Sequence, residues 1–128
     1  MLREIVNVHQ QDPRLRRRWF CDDYFDIFVW EQRDDAERRI VELQICYDKT
    51  AHERVLRWRE PADFAHHGID GGDASSFKNM TPIMVADGAL PLHAVLEKFD
   101  AGAVSLDARI RDFIREKLLN YGLTQQET

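Results

Sequence analysis

The stretch Arg18-Trp-Phe-Cys-Asp-Asp-Tyr-Phe-Asp-Ile-Phe-Val-Trp30 most constrains what this chain can fold into. It is dense in aromatic and β-branched residues and contains neither glycine nor proline, so it reads as a long central strand. Phe25, Ile27 and Val29 form one apolar row. Tyr24, Phe28 and Trp30 form the other, interrupted by Asp26. A strand apolar on both sides is usually covered on both sides.

Two further strands are expected downstream. Val41, Leu43, Ile45 and Tyr47 alternate within 39–48, and Leu56 and Trp58 alternate within 53–60, which Pro61 ends. Matching apolar rows pairs Val29 with Val41, Ile27 with Leu43 and Phe25 with Ile45, and sets Glu31 opposite Arg39. On the next ladder it pairs Leu43 with Trp58 and Ile45 with Leu56. The other face then aligns Asp26, Gln44 and Arg57, and likewise Phe28, Glu42 and Arg59. In this register Cys21 and Cys46 fall on opposite faces. They form no CxxC motif, and two reduced thiols are expected.

The remaining elements are shorter. Residues 2–9 alternate weakly and suggest an edge strand stopped by Pro13. Arg14-Leu15-Arg16-Arg17-Arg18 reads as a solvated loop. Phe64 to Ile69 suggests a short strand, and Pro82 to Ala86 a last one, ended by Asp87-Gly88. Helical spacing then takes over. Leu92, Val95, Leu96 and Phe99 follow Pro91. After Ser105, a candidate N-cap, come Leu106, Ile110, Phe113, Ile114, Leu118 and Tyr121, closed by Gly122.

The expected architecture is α+β: an antiparallel β-meander of four to six strands with two C-terminal α-helices packed on one face. It is a single domain of residues 1–128, with the sheet over about 2–88, helices over about 91–101 and 105–121, and 123–128 disordered. At 128 residues, 44% hydrophobic and 32% charged, the chain has the composition of an ordinary folded domain. A net charge of −5 and a pI near 5.5 weigh against general affinity for nucleic acid or an anionic membrane. No apolar run nears the ~20 residues of a membrane span. Without a signal-like apolar segment, the protein is expected in the cytoplasm.

Several motifs together give a resemblance. Arg18-Trp19-Phe20 with Tyr24-Phe25-Asp26-Ile27, then Cys46-Tyr47-Asp48-Lys49, Thr81-Pro82-Ile83 and Ala86-Asp87-Gly88 are similar to those of a family of small uncharacterised bacterial proteins. That resemblance spans about residues 17–88 and implies no activity.

The functional expectation comes from the second sheet face. A non-enzymatic binding or interaction module that dimerises or docks through Tyr24, Asp26, Phe28, Trp30, Arg57 and Arg59 is the leading reading, because such an apolar patch does not suit open water. A homodimer or protein partner follows from it; a small ligand is an alternative occupant, and no cofactor is implied. The rival reading is a small enzyme or metal-dependent protein using the loop His66-His67-Gly-Ile-Asp70-Gly-Gly-Asp73, with His66, His67, Asp70 and Asp73 as metal ligands. Whether the Leu92–Phe99 helix covers the second face decides whether the patch is open.

Overall fold

The computed structural model describes residues 1–61, 63–68 and 90–126. They form strands β1 (Arg3–Ile5), β2 (Leu15–Cys21), β3 (Phe25–Gln32), β4 (Ile40–Tyr47), β5 (Arg54–Arg59) and β6 (Asp63–Gly68). Helix α1 (Leu92–Gly102), a 3₁₀ turn (Ala103–Ser105) and helix α2 (Ala108–Gln126) follow. The six strands lie side by side in chain order as one antiparallel sheet, the expected meander. The expected strand at Pro82–Ala86 lies outside the described residues.

The aromatic stretch is two strands, not one. The Asp22 carboxylate oxygen Oδ1 accepts hydrogen bonds from the amides of Tyr24 (2.8 Å) and Phe25 (2.7 Å), and the Asp22 amide donates to the Phe25 carbonyl (3.0 Å). A short acid that binds its own downstream amides makes a turn competitive with an extended chain. The turn resets the parity of every residue before it. Phe20 pairs with Ile27 and enters the core; Trp19 pairs with Phe28. Leu15–Arg18, expected as a loop, belongs to β2.

The cysteines move with this reset. Cys21 pairs with Asp26, and Asp26 with Cys46, so both thiols share the second face on either side of one carboxylate. Two strand spacings, about 9.6 Å, separate their backbones. A disulfide needs Cα atoms within about 7 Å, and both cysteines are free.

The β4–β5 register is the expected one, with Leu43 opposite Trp58, Ile45 opposite Leu56, Gln44 opposite Arg57 and Glu42 opposite Arg59. The β3–β4 register differs by two residues: Val29 meets Leu43, Ile27 meets Ile45 and Phe25 meets Tyr47. Side chains alternate with period two, so an apolar pattern fixes which face a residue takes but not an even shift. The ladder slips by one further residue at Trp30/Glu31, which places Glu31 opposite Ile40 and turns Ile40 into the core. The β3–β4 loop supports it, with Arg38 at φ 52° and Asp35 accepting from the Glu37 (3.1 Å) and Arg39 (3.3 Å) amides.

Both helices lie on the first face. Phe99 of α1 meets Phe25 edge-on at 6.1 Å, and Phe113 of α2 meets Trp58 edge-on at 5.3 Å. Val95, Phe99, Ile110, Ile114 and Leu118 are fully buried with Phe25, Ile27, Val29, Leu43, Ile45 and Leu56. This resolves the placement of the Leu92–Phe99 helix: it covers the core side.

The helix ends differ from expectation. Asp107 caps α2: its carbonyl accepts from the Arg111 amide (2.9 Å) and its Oδ1 from the Arg109 amide (3.4 Å). Ser105 instead donates its hydroxyl to the Leu2 carbonyl (2.8 Å), while the Leu2 amide donates to the Gly102 carbonyl (2.8 Å), tying the start of the chain to the helix junction. Gly122 lies inside α2. A Cβ there would sit 2.4 Å from Leu92 Cδ2, so the glycine serves the close approach of the two helices.

Candidate functional site

On the second face, β2 and β3 place three half-buried aromatic rings in a row. Trp19 stacks on Phe28 with centroids 5.5 Å apart and planes 21° from parallel; Phe28 meets Trp30 at 6.2 Å. The Arg17 guanidinium lies 5.5 Å over the Phe28 ring. The register causes this, because Trp19 faces Phe28 and Arg17 faces Trp30 across the ladder. Trp19 is fixed by its indole N–H, which donates to Asp26 Oδ1 (2.9 Å). The same oxygen accepts from the Lys49 ammonium (3.4 Å). Asp26 therefore orients the aromatic row from one end.

The polar side of the face comes from β4 and β5. The Glu42 carboxylate lies 3.4 Å from Arg59 Nε and 4.0 Å from Arg57 Nε. Of the six expected interaction residues, Asp26, Phe28, Trp30, Arg57 and Arg59 share this face. Tyr24 does not. It occupies the β2–β3 turn, edge-on to Phe25 (4.8 Å), with the Lys98 ammonium of α1 5.7 Å over its ring. Parity along an unbroken strand puts Tyr24 on the second face, but the turn at Asp22 interrupts that strand. Burial, and secondarily Asp48, raises its phenol pKa. The expected alignment of Asp26 with Gln44 and Arg57 is likewise displaced by the two-residue shift, and Phe28 takes the place opposite Gln44.

The end of the face holds Cys21, Cys46, Lys49 and Glu53. Lys49 donates to Cys21 Sγ at 3.5 Å. Desolvation pulls the Lys49 pKa down, but the charges and hydrogen bonds of Asp26 and Cys21 together outweigh it and leave it raised. Burial, then the Asp26 charge, raises Glu53. Burial pushes the Cys46 thiol up to about 12. The thiolate is the nucleophile, so Cys46 is chemically quiet at neutral pH. In native protein at pH 8, iodoacetamide is expected to add to Cys21, which is partly exposed, and to leave Cys46 unmodified until denaturant is added. Peptide mass mapping reads this directly; equal labelling of both would contradict the burial of Cys46.

A second cluster lies on the first face at the opposite end of β3. Glu31 is 1% exposed. Its carboxylate pairs with Arg109 of α2 and with Arg18 of β2 (3.5 Å), and Arg16 lies 4.0 Å away. Arg18 also makes two hydrogen bonds of 2.8 Å to Glu4, whose carboxyl is held below its ordinary value chiefly by that contact. Arg109 further donates to the Arg38 carbonyl (3.0 Å). A buried charge survives only with such partners, so Glu31 joins β2, the β3–β4 loop and the start of α2. Arg39, the partner expected for Glu31, pairs with Glu60 instead (2.9 Å).

His66 faces the core opposite Leu56 in β6. Its Nε2 is 2.6 Å from the Tyr47 hydroxyl, and the two rings stack at 5.9 Å, 7° from parallel. Asp70 and Asp73 lie outside the described residues, as does the His67 side chain. Among the described residues, no three His, Cys, Asp or Glu side chains are grouped to hold a metal.

Trp19, Arg17 and Glu31 are absent from the expected site. The signal for Trp19 was the Asp22-Asp23 pair, a turn signal inside the aromatic run. The signal for Glu31 was its place as the fourth member of the Phe25-Ile27-Val29 row.

Comparison with known protein families, curated proteins and solved structures finds no match to this chain. No described helix is long and apolar enough to cross a membrane.

Proposed function

We propose that this chain is a non-enzymatic binding module that associates through its second sheet face, with a second copy of itself as the partner. The supporting observation is the Trp19–Phe28–Trp30 row, half-buried on the face opposite both described helices. Tryptophan and arginine are the residues that most often carry interface energy. Stacked aromatic pairs add about 0.5–1.5 kcal/mol beyond their area. The face also carries both signs of charge, with Arg17, Arg57 and Arg59 against Asp26 and Glu42. Two such faces related by a two-fold axis can match arginine to carboxylate. Two free thiols are in keeping with a reducing compartment such as the cytoplasm. The rival metal-dependent reading is not favoured by a His66 turned inward against Tyr47.

Phe28→Glu tests the proposal. Sedimentation equilibrium is expected to show a dimer of the native chain and a dissociation constant raised at least about thirtyfold in the variant. The melting temperature of the variant monomer should change little, because Phe28 lies outside the core. A native chain that stays monomeric at tens of micromolar, matching the variant, would overturn it.

A further inference from the structure

The turn after β4 brings a lysine onto a cysteine. Asp48 takes φ 56°, a conformation that a short acid tolerates. The Lys49 amide then donates to the Tyr24 carbonyl (3.4 Å), which holds this turn against the β2–β3 turn. The Lys49 side chain reaches Cys21 and Asp26, which pair across β2 and β3. Its ammonium is 3.5 Å from Cys21 Sγ and 3.4 Å from Asp26 Oδ1. Both groups are open to small reagents: Cys21 is partly exposed, and the Lys49 side chain is 24% exposed.

An accessible thiol beside a cation is the setting in which peroxides attack sulfur. The sulfenic acid that forms is consumed by a nucleophile within reach, often a second cysteine. Cys46 cannot serve. Its backbone lies two strand spacings, about 9.6 Å, from that of Cys21, and a disulfide needs Cα atoms within about 7 Å. Burial also pushes its thiol up to about 12. The Lys49 nitrogen is already in contact with the Cys21 sulfur, and the Asp26 carboxylate stands beside it to take its proton.

We propose that Cys21 and Lys49 are a modification site, joined by a reversible sulfur–nitrogen bond when the protein meets hydrogen peroxide. Peroxide oxidises the Cys21 thiol to the sulfenic acid; the O–O bond breaks and one water leaves. Lys49, its ammonium proton passed to Asp26, attacks the sulfur. The S–N bond forms, the S–O bond breaks, and the departing oxygen leaves as a second water. One thiol, one ammonium and one peroxide thus give one sulfenamide, two waters and one proton. Dithiothreitol reverses the step: one of its thiols takes the sulfur and releases the amine, and the other then frees Cys21. The contact lies within one chain, so the bridge does not depend on association through the second face.

The test is tryptic mapping of the reduced full chain after treatment with hydrogen peroxide, with remaining thiols blocked by iodoacetamide. Cleavage after arginine and lysine places Cys21 in peptide 19–33 and Cys46 in peptide 40–49, which ends on Lys49. Trypsin does not cut after a blocked lysine. Peptide 19–33 is therefore expected joined to 40–54, uncut after Lys49 and two hydrogens lighter than the separate peptides. Dithiothreitol before digestion should restore the cut. Cys46→Ser should keep the link. Lys49→Arg, which retains the charge, should lose it and leave Cys21 as a sulfenic acid that dimedone captures. No linked pair from the native chain, a link to 40–49 with the cut after Lys49 intact, or a link that survives in Lys49→Arg would overturn the proposal. The native map decides even if a variant fails to fold.

Discussion

Replacing Glu31 with alanine is expected to destabilise the fold by about 3–5 kcal/mol. Glu31 is 1% exposed and is the common acceptor for Arg18 and Arg109. Removing it leaves two guanidinium groups facing one another around a cavity, with Glu4 alone to balance Arg18. The cost falls chiefly on Arg18, which is 16% exposed and is left with Glu4 alone, and on the cavity, whereas Arg109 can turn to solvent. Arg109→Ala should cost less, since that side chain is 40% exposed and the Arg18 contact with Glu31 persists. Urea denaturation reads both values, as a lower midpoint with an unchanged slope. A Glu31→Ala loss below about 1 kcal/mol, the range of an exposed pair, would contradict the burial of this cluster.

Phe99→Ala should also cost about 3–5 kcal/mol, by the loss of a large buried side chain and the cavity it leaves. Phe99 is fully buried and meets Phe25 edge-on at 6.1 Å. This variant tests the placement of α1 on the helix side of the sheet, on which the openness of the other side depends. In a double-mutant cycle, Phe25→Ala and Phe99→Ala should couple by about 0.5–1.5 kcal/mol, as rings in contact do. Phe28→Glu, on the opposite face, should cost the monomer much less than Phe99→Ala. Equal losses for the two would mean that both faces are packed within one chain.

The parts of this fold that alternation or helical period can specify were readable in advance. Leu43, Ile45, Leu56 and Trp58 fell into their true register because β4 and β5 pair evenly along the described ladder. The stripe Ile110, Phe113, Ile114 and Leu118 met the sheet as its spacing required. The errors arose where a single residue changes the phase. Asp22 makes a turn with its own carboxylate, and its neighbours Phe20 and Tyr24 look like continuing strand. The two-residue offset of β4 against β3 keeps each paired side chain on its face, so polarity alone could not reveal it, whereas the one-residue slip at Trp30/Glu31 turns Ile40 into the core. The same features hide parts of the site: the Asp22 turn takes Tyr24 off the second face and brings Trp19 onto it, and Glu31, at the end of the alternating row, is a buried hub.

A second copy that covers Trp19, Phe28 and Trp30 would shield them as the protein is concentrated. Hydroxyl-radical footprinting across a range of protein concentrations reads that shielding. Oxidation of Trp19 and Trp30 should fall as the protein is concentrated from nanomolar to tens of micromolar. Trp58, buried beneath α2 with Lys117 4.4 Å over its ring, should stay protected throughout. Oxidation of Trp19 and Trp30 that does not change with concentration would contradict the account.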